Sequence, residues 1–304
     1  MSKVTKGFII TAVVMIVLGL VIAIGAVAAG GLAATETLVK MGKLDYSWSW
    51  DWDDNHLHIS HDDIFDEGMF DDDFDIFVDD KEETFAANQV KNLDLEIGAG
   101  KVEIVNGDTD KIDVRTDNMR KTQIYLDNNT LYVKGINDEV EEGTVYITLP
   151  KDTTFQNVIL SAGASDVDID SIQADSLQME LGAGRIDIES AKAQFLKIEV
   201  GAGTAAIREA DIKDAEVDVA MGQFELDGII SGDLNAECGM GHLVLNIEGT
   251  QEEHNYDLEC AAGNIDIGNH SYSGLASDRE IDNGAASNFD LECSMGNMII
   301  KFTE

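Results

Sequence analysis

A twelve-residue unit returns along the second half of this chain at a fixed spacing, and that period restricts the fold more than any other feature. Leu177-Gln-Met-Glu-Leu-Gly-Ala-Gly-Arg-Ile-Asp-Ile188 recurs as Leu196-Lys-Ile-Glu-Val-Gly-Ala-Gly-Thr-Ala-Ala-Ile207. Weaker copies run Val158 to Ile169, Ala215 to Leu226, Leu234 to Leu245, Tyr256 to Ile267 and Phe289 to Ile300, and one stands apart upstream, Leu93 to Ile104. The starts at 158, 177, 196, 215 and 234 are 19 residues apart; the next steps are 22 and 33.

Within a unit, positions 1, 3 and 5 are mostly apolar and 2 and 4 polar, the period of a half-buried strand. Position 8 is glycine in seven copies, Gly100, Gly184, Gly203, Gly222, Gly241, Gly263 and Gly296, with Ser165 the exception. A glycine between two alternating segments marks a corner that needs positive φ or close backbone approach. Positions 10 and 12 are apolar again, and so is position 15, at Ile172, Ala191, Ala210 and Ile229, giving a third short side. One repeat then closes one coil. Nineteen residues are too few for a propeller blade or helical repeat, and the period of two excludes leucine-rich and ankyrin types. The expectation is an all-β chain whose core is a parallel β-solenoid, its coils stacked about 4.8 Å apart.

The long last step predicts a surface loop from about Gly268 to Asn288, a contact site if the loop is functional. Asn92 to Leu149 lacks the period but is strand-like, and Asp127-Asn128-Asn129-Thr130 is a good hairpin turn between Gln123–Leu126 and Leu131–Lys134. The expected divisions are an anchor over 1–35, an acidic linker over 36–91, a β-rich cap and start of the repeats over 92–157, and solenoid repeats over 158–304.

Stacking like on like turns repeat positions into rows. Position 5 holds Cys238, Cys260 and Cys293, predicted to point inward as small apolar residues, with a disulfide between coils as the alternative. Position 4 holds Glu180, Glu199, Asp218, Glu237, Glu259 and Glu292, with Glu96 and Ser161 further upstream. Adjacent carboxylates at coil spacing repel by roughly 0.9 kcal/mol in water, so the row either collects a divalent cation such as calcium, loosely, or is a solvated polar face. No other cofactor is implied. No nucleophile, base and orienter share a pattern, so no catalytic residue is assigned.

The formal net charge is −39, which disfavours nucleic acid and anionic lipid and suits a cation or a basic partner. With 44% apolar residues and one proline against 28 glycines, the chain has enough apolar material for a core and is not proline-rich and disordered. Lys3 and Lys6 precede an uncharged stretch from Gly7 to Thr35, long enough to span a membrane and oriented with the amino terminus in the cytoplasm. Ala26-Val27-Ala28 supports the alternative, a cleaved signal and a secreted product. Asp45 to Asp80 has no Lys or Arg and reads as a self-repelling spacer, although Trp48, Trp50 and Trp52 alternate like one face of a strand or an interfacial anchor. Asp71, Asp73, Asp75, Phe77, Asp79 and Glu82 fall on calcium-loop offsets, but Ile76 replaces the required glycine. His56, His58 and His61 lie among acids without a cysteine nearby and read as solvated.

Leu93-Asp-Leu-Glu-Ile-Gly-Ala-Gly-Lys-Val-Glu-Ile104 and Leu177 to Ile188, repeated behind an amino-terminal apolar segment, resemble the bacterial "putative adhesin" family of β-strand repeats, domain of unknown function 4097, over about Asn92 to Phe302. The resemblance implies an envelope protein with a solenoid-like fold and carries no catalytic residues with it. The leading expectation is a single-pass protein that displays the repeat domain outside the cell as a non-enzymatic interaction or adhesion module, with wall material or a membrane protein as partner. An accessory regulator of a membrane sensor or transporter in envelope stress is the alternative. An enzyme acting on wall polymer comes third.

Overall fold

Alternation of apolar and polar residues is the local cause of nearly every strand in the chain. The computed structural model describes residues 47–51, 56–60, 80–119, 121–136, 143–273 and 277–303. The chain divides into two compact units. Within Ile22–Phe77, β1 (Ser47–Asp51) and β2 (His56–Ser60) form an antiparallel hairpin that sets Trp48 opposite Ile59 and Trp50 opposite Leu57. The acidic connector therefore contains paired strands where its charge alone predicts only a spacer.

The second unit holds the other strands. They begin with β3 (Glu82–Ala86), β4 (Asn92–Gly107), β5 (Lys111–Asp117), β6 (Lys121–Asp127), β7 (Thr130–Ile136), β8 (Thr144–Pro150) and β9 (Thr154–Leu181). They continue with β10 (Arg185–Val200), β11 (Thr204–Val219), β12 (Gln223–Ile230), β13 (Leu234–Cys238), β14 (His242–Glu248) and β15 (His254–Cys260). The last are β16 (Asn264–Ile267), β17 (His270–Ser273), β18 (Ser277–Ile281), β19 (Ser287–Cys293) and β20 (Asn297–Thr303). Among the described residues there is no α-helix, and none is long and apolar enough to cross a membrane. The expected anchor and its cleaved-signal alternative, at 1–35, lie outside the described residues. So do Trp52, His61 and the calcium-loop offsets Asp71, Asp73, Asp75, Phe77 and Asp79; Glu82 opens β3.

Rung lies on rung in parallel and in register. Leu177 faces Leu196 and Leu196 faces Ala215, each pair 19 residues apart, and the same offset joins β9, β10 and β11 through most of their length. Gly182 N donates to Ala162 O at 2.8 Å, which carries the register back one rung further. The result is a solenoid-like stack with three buried sides. Leu196, Ile198 and Val200 line the first, Ile186 and Ile188 the second, and Ala191 and Ala193 the third, all at most 2% exposed. Shape is matched between rungs as well as polarity: the small Ala205 lies beside Phe224, which lies beside Leu243.

The register slips once, on the third side between β11 and β12, where Ala210 pairs with Gly228 instead of Ile229. Gly228 has φ +140°, and a Cβ there would stand 2.2 Å from Ala210 O, so only glycine fits. Ile229, expected to point inward, is consequently 38% exposed, and Ile230 takes the buried place at 1%.

Sequential order fails at both ends of the stack. At the upstream end β4 lies between β9 on one side and β7 with β8 on the other, so the first rung in sequence is the second in space. At the downstream end β19 pairs with both β13 and β15, and β20 with both β14 and β16. The final repeat is thus enclosed by the repeats that start at 234 and 256. The segment expected as a surface loop, about Gly268 to Asn288, explains this. It turns back and lays β17 against β16 and β18 against β15, both antiparallel, closing the outer edge. The upstream end is closed in the same way by β6 on β7, β5 on β8 and β3 on β5, all antiparallel. The β6–β7 turn falls where the sequence puts it, with Asn128 and Asn129 at φ 47° and 66°, the backbone of a tight hairpin. Antiparallel edges of short, charged strands stop a parallel stack from adding further rungs.

Candidate functional site

Because rungs are in register, equivalent side chains form files along the outside, and these files are the candidate surfaces. The position-4 carboxylates stand in one row: Glu180 beside Glu199, Asp218, Glu237, Glu292 and finally Glu259. Glu292 precedes Glu259 because the last repeat is enclosed. Glu180, Glu199 and Glu237 are exposed, and Asp218, Glu292 and Glu259 are partly buried. Burial first, then Glu237 and Glu199, push the Asp218 carboxyl up to about 6. Lys197 offsets part of the repulsion, with its Nζ 2.7 Å from Glu216 and 3.2 Å from Glu199. Upstream, Lys134 does the same for Glu96 at 2.8 Å. Among the described residues no group of three or more His, Cys, Asp or Glu side chains is placed to hold a metal ion. The carboxylates repel one another, so in this row they stand apart, one per rung.

The second side carries a balanced file. Arg185 bridges Asp168 at 2.7 Å and Asp187 at 2.9 Å, and Arg208 on the next rung also grips Asp187. The Arg208 hydrogen bond holds the Asp187 carboxyl below the usual range. Here arginines from neighbouring columns neutralise the acids, whereas the position-4 row from Glu180 to Glu259 is acidic throughout.

The position-8 glycines sit where backbone meets backbone. A Cβ on Gly184, Gly203, Gly222, Gly241, Gly263 or Gly296 would come within 1.9 to 2.6 Å of a carbonyl oxygen on the adjacent rung. Of the seven position-8 glycines only Gly100 has positive φ, +121°. Of the two reasons expected for a corner glycine, close approach accounts for six and conformation for one. Ser165 manages its side chain by turning the hydroxyl onto Ile97 O, a donated bond of 2.9 Å.

Cys238, Cys293 and Cys260 also stand on successive rungs, at most 3% exposed, and none of the three is in a disulfide. Contact with Cys293 and burial push the Cys238 thiol up, so it stays neutral. His254 Nδ1 lies 2.5 Å from Ser287 Oγ, a pair invisible at the level of sequence spacing. Both residues are buried, at 4% and 6% exposure, and His254 stacks on Phe289 with ring centroids 4.1 Å apart. An acyl substrate has no path to such a hydroxyl, and the pair packs the downstream end of the stack. His242 meets Asn297 at 3.2 Å in a polar file that Asn264 extends.

One row escaped the sequence reading. At position 7, between the small corner residues, Met221, Met240 and Met295 replace the alanine of the other rungs, and all three are exposed. Comparing the units position by position, beyond the apolar and glycine slots, would have revealed it.

The sequence profile of Toastrack DUF4097 matches residues 89–289, about two thirds of the chain. No curated protein matches. Among solved structures, a "putative adhesin" from Bacteroides fragilis is 12% identical, covering 75% of this chain and 99% of its own, with a TM-score of 0.38. One from Parabacteroides distasonis is 12% identical over 74% of this chain and 97% of its own, with a TM-score of 0.40. A "putative cell adhesion protein" from Clostridium sporogenes is 10% identical over 74% and 100%, with a TM-score of 0.26.

Proposed function

Because the chain belongs to the Toastrack DUF4097 family, we propose that it is a non-enzymatic interaction module of the bacterial cell envelope, a rigid acidic β-solenoid held at the membrane by its amino-terminal segment. The observation that carries this reading is the set of in-register files on the outside of the stack, above all the carboxylate row from Glu180 to Glu259. Such a surface recognises extended partners that repeat along their length, or basic ones, through many weak contacts. The apolar stretch from Gly7 to Thr35 supports anchorage, and Lys3 and Lys6 before it support an amino terminus inside and display of the rest outside.

The test is fractionation of intact cells followed by external protease and by sedimentation of the full chain with purified wall material. The proposal expects the chain in the membrane fraction, cut from outside, and co-sedimenting in a salt-sensitive way. A cytoplasmic, protease-resistant chain overturns it. Crosslinking to one membrane sensor or transporter, with no wall binding, would instead favour the accessory-regulator reading.

The carboxylate row is further proposed to collect divalent cations such as calcium without chelating them. Millimolar calcium is then expected to raise the melting temperature of the full chain, and Glu199→Gln to reduce that rise; an unchanged melt contradicts the proposal.

A further inference from the structure

A file of thioethers runs along one corner of the stack. Met240 N donates to Ala220 O and Met295 N donates to Gly239 O, each at 2.7 Å, so the rungs of Met221, Met240 and Met295 are immediate neighbours. The three side chains are 38%, 37% and 53% exposed. The other described methionines, Met119, Met179 and Met298, are at most 3% exposed. Every exposed methionine among the described residues is therefore in this one file. The file ends at alanine on both sides, Ala202 before Met221 and Ala262 after Met295.

The surroundings leave the sulfurs open. Each methionine is flanked by small residues, Ala220 and Gly222, Gly239 and Gly241, Ser294 and Gly296. Rungs lie about 4.8 Å apart. An unbranched side chain with three rotatable bonds lets neighbouring sulfurs lean together over the middle rung. A leucine or valine file would give as much apolar surface; what methionine adds at its tip is a lone pair. A thioether is neutral and soft. It is a poor partner for calcium or magnesium and a good one for a soft monovalent cation, and it needs no deprotonation to bind. The same rungs carry Asp218, Glu237 and Glu292, and the strongly negative chain concentrates cations near its surface.

We propose that Met221, Met240 and Met295 form a soft-metal site that takes one monovalent d10 cation, copper(I) or its analogue silver(I), through three thioether sulfurs. The site is separate from the carboxylate row and does not depend on the envelope reading.

Silver(I) is titrated into full-length chain carrying 13C-methyl methionine, in chloride-free buffer. The signals of Met221, Met240 and Met295 are expected to move together and saturate at one equivalent, while those of Met119, Met179 and Met298 stay in place. In competition with a chromogenic copper(I) chelator, M221L/M240L/M295L is expected to weaken copper(I) binding by at least about tenfold. M240L alone should weaken it more than M221L alone, because without the middle sulfur the remaining two stand two rungs apart. Replacing the three buried cysteines by alanine should leave the affinity unchanged. Unmoved signals at one equivalent overturn the proposal. So does undiminished binding by the leucine variant, or binding that disappears with the cysteines. Leucine nearly matches methionine in volume and the positions are exposed, and unchanged signals from the buried methionines verify that each variant is folded.

Discussion

Asp218 carries the main electrostatic cost of stacking like on like. Its carboxyl is raised to about 6 by burial and by the flanking Glu237 and Glu199, against an ordinary 3.8. Between those values the folded chain binds more protons than the unfolded one, so this group makes stability fall as pH rises through the window and leaves a fixed penalty above it. Asp218→Asn removes the penalty. Discounted for partial exposure, the gain at pH 7.5 is about 1 kcal/mol, shrinking toward zero near pH 4, as checked by urea melts at both values. A variant no more stable than wild type at pH 7.5 contradicts this account of the row. Gly203 sets the opposite limit: a Cβ there would lie 2.6 Å from Gly184 O and 2.7 Å from Leu181 Cδ2. Gly203→Ala is expected to destabilise by roughly 1 to 3 kcal/mol through steric overlap, since the backbone itself is in an ordinary conformation. Thermal melts decide it. The sequence revealed that glycine was required, because the slot is nearly invariant between rungs, but contact with the next rung could not be told from backbone conformation without coordinates.

At the scale of elements, the middle of the stack was legible and its ends were not. Equal coils of 19 residues allow only one register, so the pairing of Leu177, Leu196 and Ala215 follows from spacing. The downstream units offer no such constraint. Tyr256-Asp-Leu-Glu-Cys260 and Phe289-Asp-Leu-Glu-Cys293 have the same pattern, and either fits beside Leu234–Cys238. The choice is made by the intervening segment. It covers the free edges of β15 and β16 with β18 and β17, which leaves their inner edges for β19 and β20. A consequence is measurable by hydrogen exchange. The amides of Leu291 and Ile300 are expected to be as protected as those of Leu196 and Ile207, despite lying near the carboxyl end. Fast exchange there, with slow exchange in β15, would mean that the final repeat is outermost. The β1–β2 hairpin shows a different limit: the alternation of Trp48 and Trp50 was visible, but the surrounding acids outweighed it in the reading.

Across the whole molecule, one arrangement accounts for the rows, the capped ends and the finite length. Parallel rungs align carboxylates, cysteines and methionines into separate files, and antiparallel strands at both ends stop the stack from growing. All of it depends on the parallel register and on the final repeat lying inside. The direct measurement is the set of nuclear Overhauser contacts between backbone amides in the deuterated full-length chain. Contacts are predicted between residues 196–200 and 215–219 in parallel register, and between 289–293 and both 234–238 and 256–260. Direct contacts between 234–238 and 256–260, or antiparallel contacts between 196–200 and 215–219, would contradict it.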